Sequence, residues 1–169
     1  MKKVTVIGSG SWGTALAVML AQNEHEVMIW SRRQDAVDEL LNDRKNERYL
    51  PGIEIPENIQ ATTDREAAVK GAEIIILAVP SRAVAETVRD FSPYLKTWQI
   101  LVNVAKGLEP GTLLCLSDVI QREAPQCEVC VLSGPSHAEE VARGIPTTCL
   151  ITCENEQVAK VVQEDFANA

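Results

Sequence analysis

Gly8-Ser9-Gly10-Ser11-Trp12-Gly13 sets three glycines at the spacing G-x-G-x-x-G. The chemistry served by that spacing is capture of a pyrophosphate on bare backbone. Gly8 permits a tight turn, Gly10 lets the backbone approach a phosphate, and Gly13 lets a following helix pack close to the preceding strand. The helix that opens there offers unpaired N–H groups and the positive end of its dipole. A purely structural strand-to-helix turn is the plainer alternative, but it needs fewer placed glycines. An NAD-selective site carries Asp or Glu about 20 residues beyond the glycines, on the ribose hydroxyls. Here the second apolar segment ends in Trp30-Ser31-Arg32-Arg33. Guanidinium groups match phosphate oxygens two at a time, so Arg32 and Arg33 point to a ribose 2'-phosphate and to NADP(H) over NAD(H). The alternative is a solvated charge pair, with Asp35 left to reach the ribose.

Three further segments end apolar runs with residues able to act on a ligand. Ala78-Val79-Pro80-Ser81 reads first as a helix start capped by Ser81. Ala105-Lys106-Gly107-Leu108-Glu109 puts a lysine at a strand end, as a surface charge or as a cation facing the cleft. Ser133-Gly134-Pro135-Ser136-His137-Ala138-Glu139 contains S-x-x-E, a capping box from Ser136 to Glu139. His137 is a candidate acid–base group. The cysteines are Cys115, Cys127, Cys130, Cys149 and Cys153. Cys127 and Cys130 lie in a strand-like stretch, so they point to opposite faces. Cys149 and Cys153 share a face but lie ~13 Å apart at ~3.3 Å per residue. Neither pair holds one ion without breaking its strand, so reduced thiols packed as small hydrophobes are expected, and no metal.

These residues need a scaffold, and the chain alternates short apolar strands with amphipathic helices. Strands are expected at Val4–Gly8, Glu26–Trp30, Ile59–Thr62, Glu73–Val79, Ile100–Ala105, Val129–Leu132 and Thr148–Thr152. Helices are expected at Trp12–Gln22, Gln34–Asn42, Asp64 to about Gly71, Ser81 to about Asp90, Thr112–Glu123, His137–Ala142 and from Asn155 through Phe166. Asp64 and Asn155 are the expected caps. This alternation predicts an α/β, doubly wound, mostly parallel sheet with helices on both faces. The last helix still runs at Phe166, which suggests a fragment of a longer protein.

Composition narrows the classes. The 169 residues are 46% hydrophobic and carry a net charge of −8. That length suits one domain of ~100–200 residues. The acidic balance argues against nucleic acid or an anionic membrane as partner, though not against a small anion in a local basic pocket. No apolar run reaches the ~18 residues that span a bilayer. Met1-Lys2-Lys3 leads into a run that stops at Gly8, too short for a secretory signal, so a cytoplasmic protein is expected.

Several segments together resemble one family. Gly8-Ser9-Gly10-Ser11-Trp12-Gly13-Thr14-Ala15-Leu16-Ala17, Ile29-Trp30-Ser31-Arg32, Tyr49-Leu50-Pro51, Ala78-Val79-Pro80-Ser81, Ala105-Lys106-Gly107-Leu108-Glu109 and Leu132-Ser133-Gly134-Pro135-Ser136 are similar to the bacterial NAD(P)-dependent glycerol-3-phosphate dehydrogenases. The likeness spans nearly the whole chain, and the last two motifs are more specific than the glycines. It implies a Rossmann-like NAD(P)-binding domain over residues 1–169, half of a two-domain enzyme whose second domain is helical. It implies reduction of dihydroxyacetone phosphate to sn-glycerol 3-phosphate with NADPH or NADH, for phospholipid synthesis. By position, Ser11, Trp12 and Ala138 would contact the cofactor, Arg32 and Arg33 the adenosine ribose or its phosphate, and Tyr49 the cofactor side. Lys106 would serve cofactor and substrate, and Gly134 and Ser136 the substrate. The family's catalytic lysine, its phosphate pocket and any homo-oligomer contact would lie beyond Ala169. Two rivals stay open: a related dehydrogenase for another keto or hydroxy acid, and a non-catalytic dinucleotide-sensing domain.

Overall fold

Ile74–Leu77 is four apolar residues in a row, all buried. A strand covered on both faces requires such a run, and this one lies at the middle of a seven-stranded sheet. The computed structural model describes residues 1–167. Its strands are β1 (Lys3–Ile7), β2 (Glu26–Trp30), β3 (Ile59–Thr62), β4 (Ile74–Leu77), β5 (Ile100–Asn103), β6 (Glu128–Ser133) and β7 (Leu150–Cys153). The helices are α1 (Ser11–Gln22), α2 (Gln34–Asp38), α3 (Arg65–Val69), α4 (Val84–Phe91), α5 (Leu116–Glu123), α6 (Ala138–Ala142) and α7 (Glu156–Phe166).

The sheet order is β3-β2-β1-β4-β5-β6-β7. β1 to β6 pair in parallel, and β7 alone runs antiparallel, against β6. The chain winds outward from β1 to β3, then crosses back to place β4 on the other side of β1. The β1–β4 boundary is therefore the topological switch point, beyond whose strand ends an open α/β sheet binds its ligands.

Period-two alternation sorts the core into two layers. Val4, Val6, Ile29, Ile74 and Ile76 pack with α1, Val141 of α6 and Val162 of α7. Ile7, Trp30, Ile75, Leu77 and Leu101 pack with Ala68 of α3, Val84, Val88 and Phe91 of α4, and Leu116 and Ile120 of α5. Cys130 falls in the first layer and Cys127 in the second, on opposite faces as their spacing requires. Helix α1 is buried without a break from Gly13 to Ala21, which explains its wealth of Ala, Leu and Val.

Asp64 and Asn155 cap α3 and α7, accepting from the Ala67 and Gln157 amides at 2.8 and 3.1 Å. Other expected ends differ. Ser81 caps no helix: residues Ser81–Ala83 form a 3-10 turn after Pro80, and α4 begins at Val84. The Ser136–Glu139 capping box does not form, because α6 starts after His137, in extended backbone with no side-chain cap bond. The α5 helix begins at Leu116 rather than Thr112. Leu108 to Cys115 make a small hairpin instead, closed by the Glu109 amide on the Leu114 carbonyl at 2.9 Å. Glu109 accounts for it: Thr112 Oγ1 donates to its carboxylate at 2.5 Å and Arg122 at 2.8 and 3.2 Å, which pulls the loop back onto α5. The expected helix over 34–42 turns π-helical from Glu39 to Asp43 and ends at Arg44 in the left-handed region. The last helix, expected through Phe166, spans Glu156–Phe166.

Candidate nucleotide cleft at the switch point

The turn after β1 is built on close approach. The Gly8 amide donates to the Trp30 carbonyl at 2.9 Å, and the Ala78 amide to the Ile7 carbonyl at 2.9 Å. Gly8 has φ +117°, and a Cβ there would stand 2.4 Å from the Ala78 carbonyl oxygen. A Cβ on Gly13 would stand 2.2 Å from the Gly8 carbonyl oxygen. Packing within the protein thus demands both glycines. Gly10 differs: a Cβ there would meet nothing within 4 Å. The fold leaves space in front of this residue, at the N-cap of α1. No side chain caps that helix and no acidic residue lies in its first turn. Its leading N–H groups lack helical partners and face the cleft with the positive dipole end.

Side chains brace this turn. The Ser9 and Ser31 hydroxyls meet at 2.9 Å. Asn46, buried, donates through Nδ2 to the Ser9 carbonyl at 3.0 Å and to Thr14 Oγ1 at 2.8 Å. The stretch around Asn46 reads as irregular in sequence, and nothing there signals that one amide ties the loop to the helix. Only its burial reveals the role.

Gly8, Gly10, Arg32, Arg33, Tyr49 and Arg65 line one cavity of about 410 Å³ between this turn and α4. Its floor is Trp30, whose indole N–H donates to the Thr63 carbonyl at 2.9 Å and whose ring meets Phe91 edge-on at 5.0 Å. Arg33 donates through Nε to Asp35 Oδ1 at 2.9 Å and through a terminal nitrogen to Oδ2. These hydrogen bonds raise the Arg33 pKa and lower that of Asp35. Arg32 is exposed and makes no ion pair among the described residues.

Beyond Pro80 the cleft continues. Ser11, Trp12, Lys106, Ser136, His137 and Ala138 line the adjoining space. Trp12, Lys106, Gly134 and Ser136 line a third, between β5 and β6. Lys106 stands exposed because Asn103 shapes the strand end: its side chain accepts from the Ala105 amide and donates to the Ala105 carbonyl, both at 3.2 Å. Gly107, at φ +106°, then turns the chain away. Gly134 also has a packing reason to be glycine, since a Cβ would come 2.6 Å from the Thr148 carbonyl oxygen. Apart from Gly13, which is buried behind it, the candidate cofactor and substrate residues border one connected space, whereas Ser81, Glu109 and Pro135 line none of it.

The cleft can do three things. Free N–H groups and an open Gly10 can cradle a diphosphate. The arginine end can hold further negative charge. The lysine end can place an ammonium beside a reacting oxygen.

The family described as NAD-dependent glycerol-3-phosphate dehydrogenase N-terminus matches residues 3–159. The glycerol-3-phosphate dehydrogenase [NAD(P)+] of Bacillus pumilus (strain SAFR-032) is 45% identical over 171 residues, covering 99% of this chain and 50% of that protein. The protein of the same name from Fusobacterium nucleatum is 45% identical over 170 residues, with 99% and 51% covered. A crystal structure of glycerol-3-phosphate dehydrogenase from Coxiella burnetii superposes with TM-score 0.93 at 35% identity, covering 99% of this chain and 51% of that one. The chain spans about half the length of the curated relatives it matches.

Proposed function

This chain belongs to the family of the N-terminal part of NAD-dependent glycerol-3-phosphate dehydrogenases, and from that premise we propose that it binds a nicotinamide dinucleotide and serves the reduction of dihydroxyacetone phosphate. The observation that carries the reading is Gly10, a glycine that no protein atom requires, at the uncapped start of α1. Backbone left bare there fits a pyrophosphate. Gly8, Ser11 and Trp12 would hold the cofactor beside it, with Arg32, Arg33 and Tyr49 at the adenosine end.

The reaction consumes NAD(P)H, a proton and dihydroxyacetone phosphate and yields NAD(P)+ and sn-glycerol 3-phosphate. The cofactor, when bound, supplies the hydride. The chain supplies position and charge. The Lys106 ammonium faces the carbonyl oxygen, orients the phosphorylated ketone and offsets the developing alkoxide charge. Gly134 and Ser136 border the same space and seat the substrate, and Ala138 borders the cofactor. The proton donor is assigned to the helical half of a two-domain enzyme, of which residues 1–169 are the dinucleotide-binding half. A cytoplasmic location, supply of phospholipid synthesis and any oligomer contact through that helical half belong to the same proposal and rest on family likeness.

Residues 1–169 are expected to bind NADPH in a calorimetric titration. With dihydroxyacetone phosphate added, the reduced-nicotinamide absorbance should stay constant. Proximity of both reactants carries roughly 7–11 kcal/mol of an enzyme's barrier reduction, and these residues border one side of the substrate. Failure to bind NADPH would remove the reading. Sustained oxidation would place the proton donor inside the chain, with His137 at the cleft rim tested first.

A further inference from the structure

Arg33 does not enter the cleft as a free cation. Its Nε and one terminal nitrogen engage the two oxygens of Asp35, one each. Those are the donors a guanidinium uses to grip a phosphate in a two-pronged way. The two acceptors therefore compete for one fork. The pair faces water, with Asp35's side chain 70% exposed and Arg33's 34%, so it can open and exchange. Arg32, alongside, carries no such partner among the described residues.

We propose that Asp35 sets the preference of this site between NADPH and NADH by holding the Arg33 fork closed. The inference rests on the dinucleotide reading above and adds its regulator. A ribose that carries free hydroxyls leaves the pair intact. A ribose that carries a 2'-phosphate must displace the Asp35 carboxylate from Arg33 and tolerate its negative charge nearby. Asp35 thus acts through Arg33 as a positioning residue: it lowers the advantage of NADPH without touching the nicotinamide. The arginine pair alone would make the site strongly NADPH-selective, whereas the chain with Asp35 present accepts both forms.

The test is a binding titration of both reduced cofactors against the wild-type chain, Asp35→Asn, Arg33→Ala and the double variant. Asn keeps the size and removes the charge, and an exposed position in the first turn of α2 leaves the core untouched. Asp35→Asn should tighten NADPH by about tenfold, the scale of one freed charge-assisted contact, and leave NADH within about twofold. The gain should disappear when Arg33 is also Ala. Equal shifts for both cofactors, or a gain that survives loss of Arg33, would overturn the proposal while leaving the dinucleotide reading in place. Absence of binding to the wild-type chain of either cofactor would overturn that reading, and the role of Asp35 with it.

Discussion

At the scale of single residues, the cleft separates glycines by cause. Gly8 and Gly13 answer to neighbouring backbone atoms, and Gly10 to open space. The sequence shows all three, and their spacing alone conveys the intended turn. It cannot show which of them the protein itself requires, because that depends on Ala78, a residue brought in by a strand far along the chain. The arginines divide in the same way. Both Arg32 and Arg33 are visible as cations, but the grip of Asp35 on one of them appears only in three dimensions. On the proposed dinucleotide reading, Arg32 is consequently the cation ready for a 2'-phosphate. Arg32→Ala should weaken NADPH about tenfold through one lost charge-assisted contact and leave NADH nearly unchanged. Competition between the two cofactors in equilibrium dialysis checks this, and an equal loss for both would show that Arg32 is an ordinary surface charge.

At the scale of elements, helices and strands were legible where periodicity governs, and loops were not. The strand cores match their expected positions because a continuous apolar run buried on two faces leaves little choice. The expected start of α5 at Thr112 fails for a local reason. Glu109 takes hydrogen bonds from Thr112 and Arg122 and folds Leu108 to Cys115 into a hairpin. No short-range pattern encodes a carboxylate reaching thirteen positions ahead. Those bonds, chiefly from Arg122 and then Thr112, lower the Glu109 pKa from 4.5 to about 2. A depressed carboxylate contributes anchoring that is complete above its ordinary value and fades as pH falls towards 2. The hairpin should therefore remain closed at pH 5 and open progressively in the acid range below about 4.5. Carboxyl carbon chemical shifts of Glu109, followed by NMR across that range, report it directly. A midpoint at the ordinary carboxylate value would mean that Arg122 does not hold the loop.

The bracing of the glycine turn was illegible for a related reason. Asn46 lies in a stretch with turn residues and no periodicity, yet its side chain ties Ser9 to Thr14. A buried amide with satisfied hydrogen bonds is invisible to patterning, since Asn is expected at the surface. Likewise the antiparallel sense of β7 follows from how the chain returns after α6. Both senses of pairing present the same alternation of side chains.

At the scale of the whole molecule, the order of strands makes the cleft. Crossing back from β3 to β4 opens a gap beyond β1, and separate loops converge on it, among them the glycine turn, the β2 end, the β4 end, the Lys106 loop and the loop after β6. The sequence predicts the doubly wound class from alternation, and the observed sheet order bears it out; the Coxiella burnetii structure superposes along nearly all of this chain. Such a convergence of loops is a property of topology alone. It turns scattered motifs, each with an ordinary structural explanation, into one surface suited to a long ligand. On the proposed function, this surface takes a nicotinamide dinucleotide with its pyrophosphate against Gly10. Trp12 lies in the cleft near that point, so energy transfer from tryptophan to the reduced nicotinamide reports occupancy. Titration of the wild-type chain with NADPH should give a saturable rise in nicotinamide emission. Gly10→Val should abolish it without changing the circular dichroism spectrum, because its side chain enters space that only the ligand uses. An undiminished signal from Gly10→Val, or none from the wild-type chain, would mean that no dinucleotide lies against this turn.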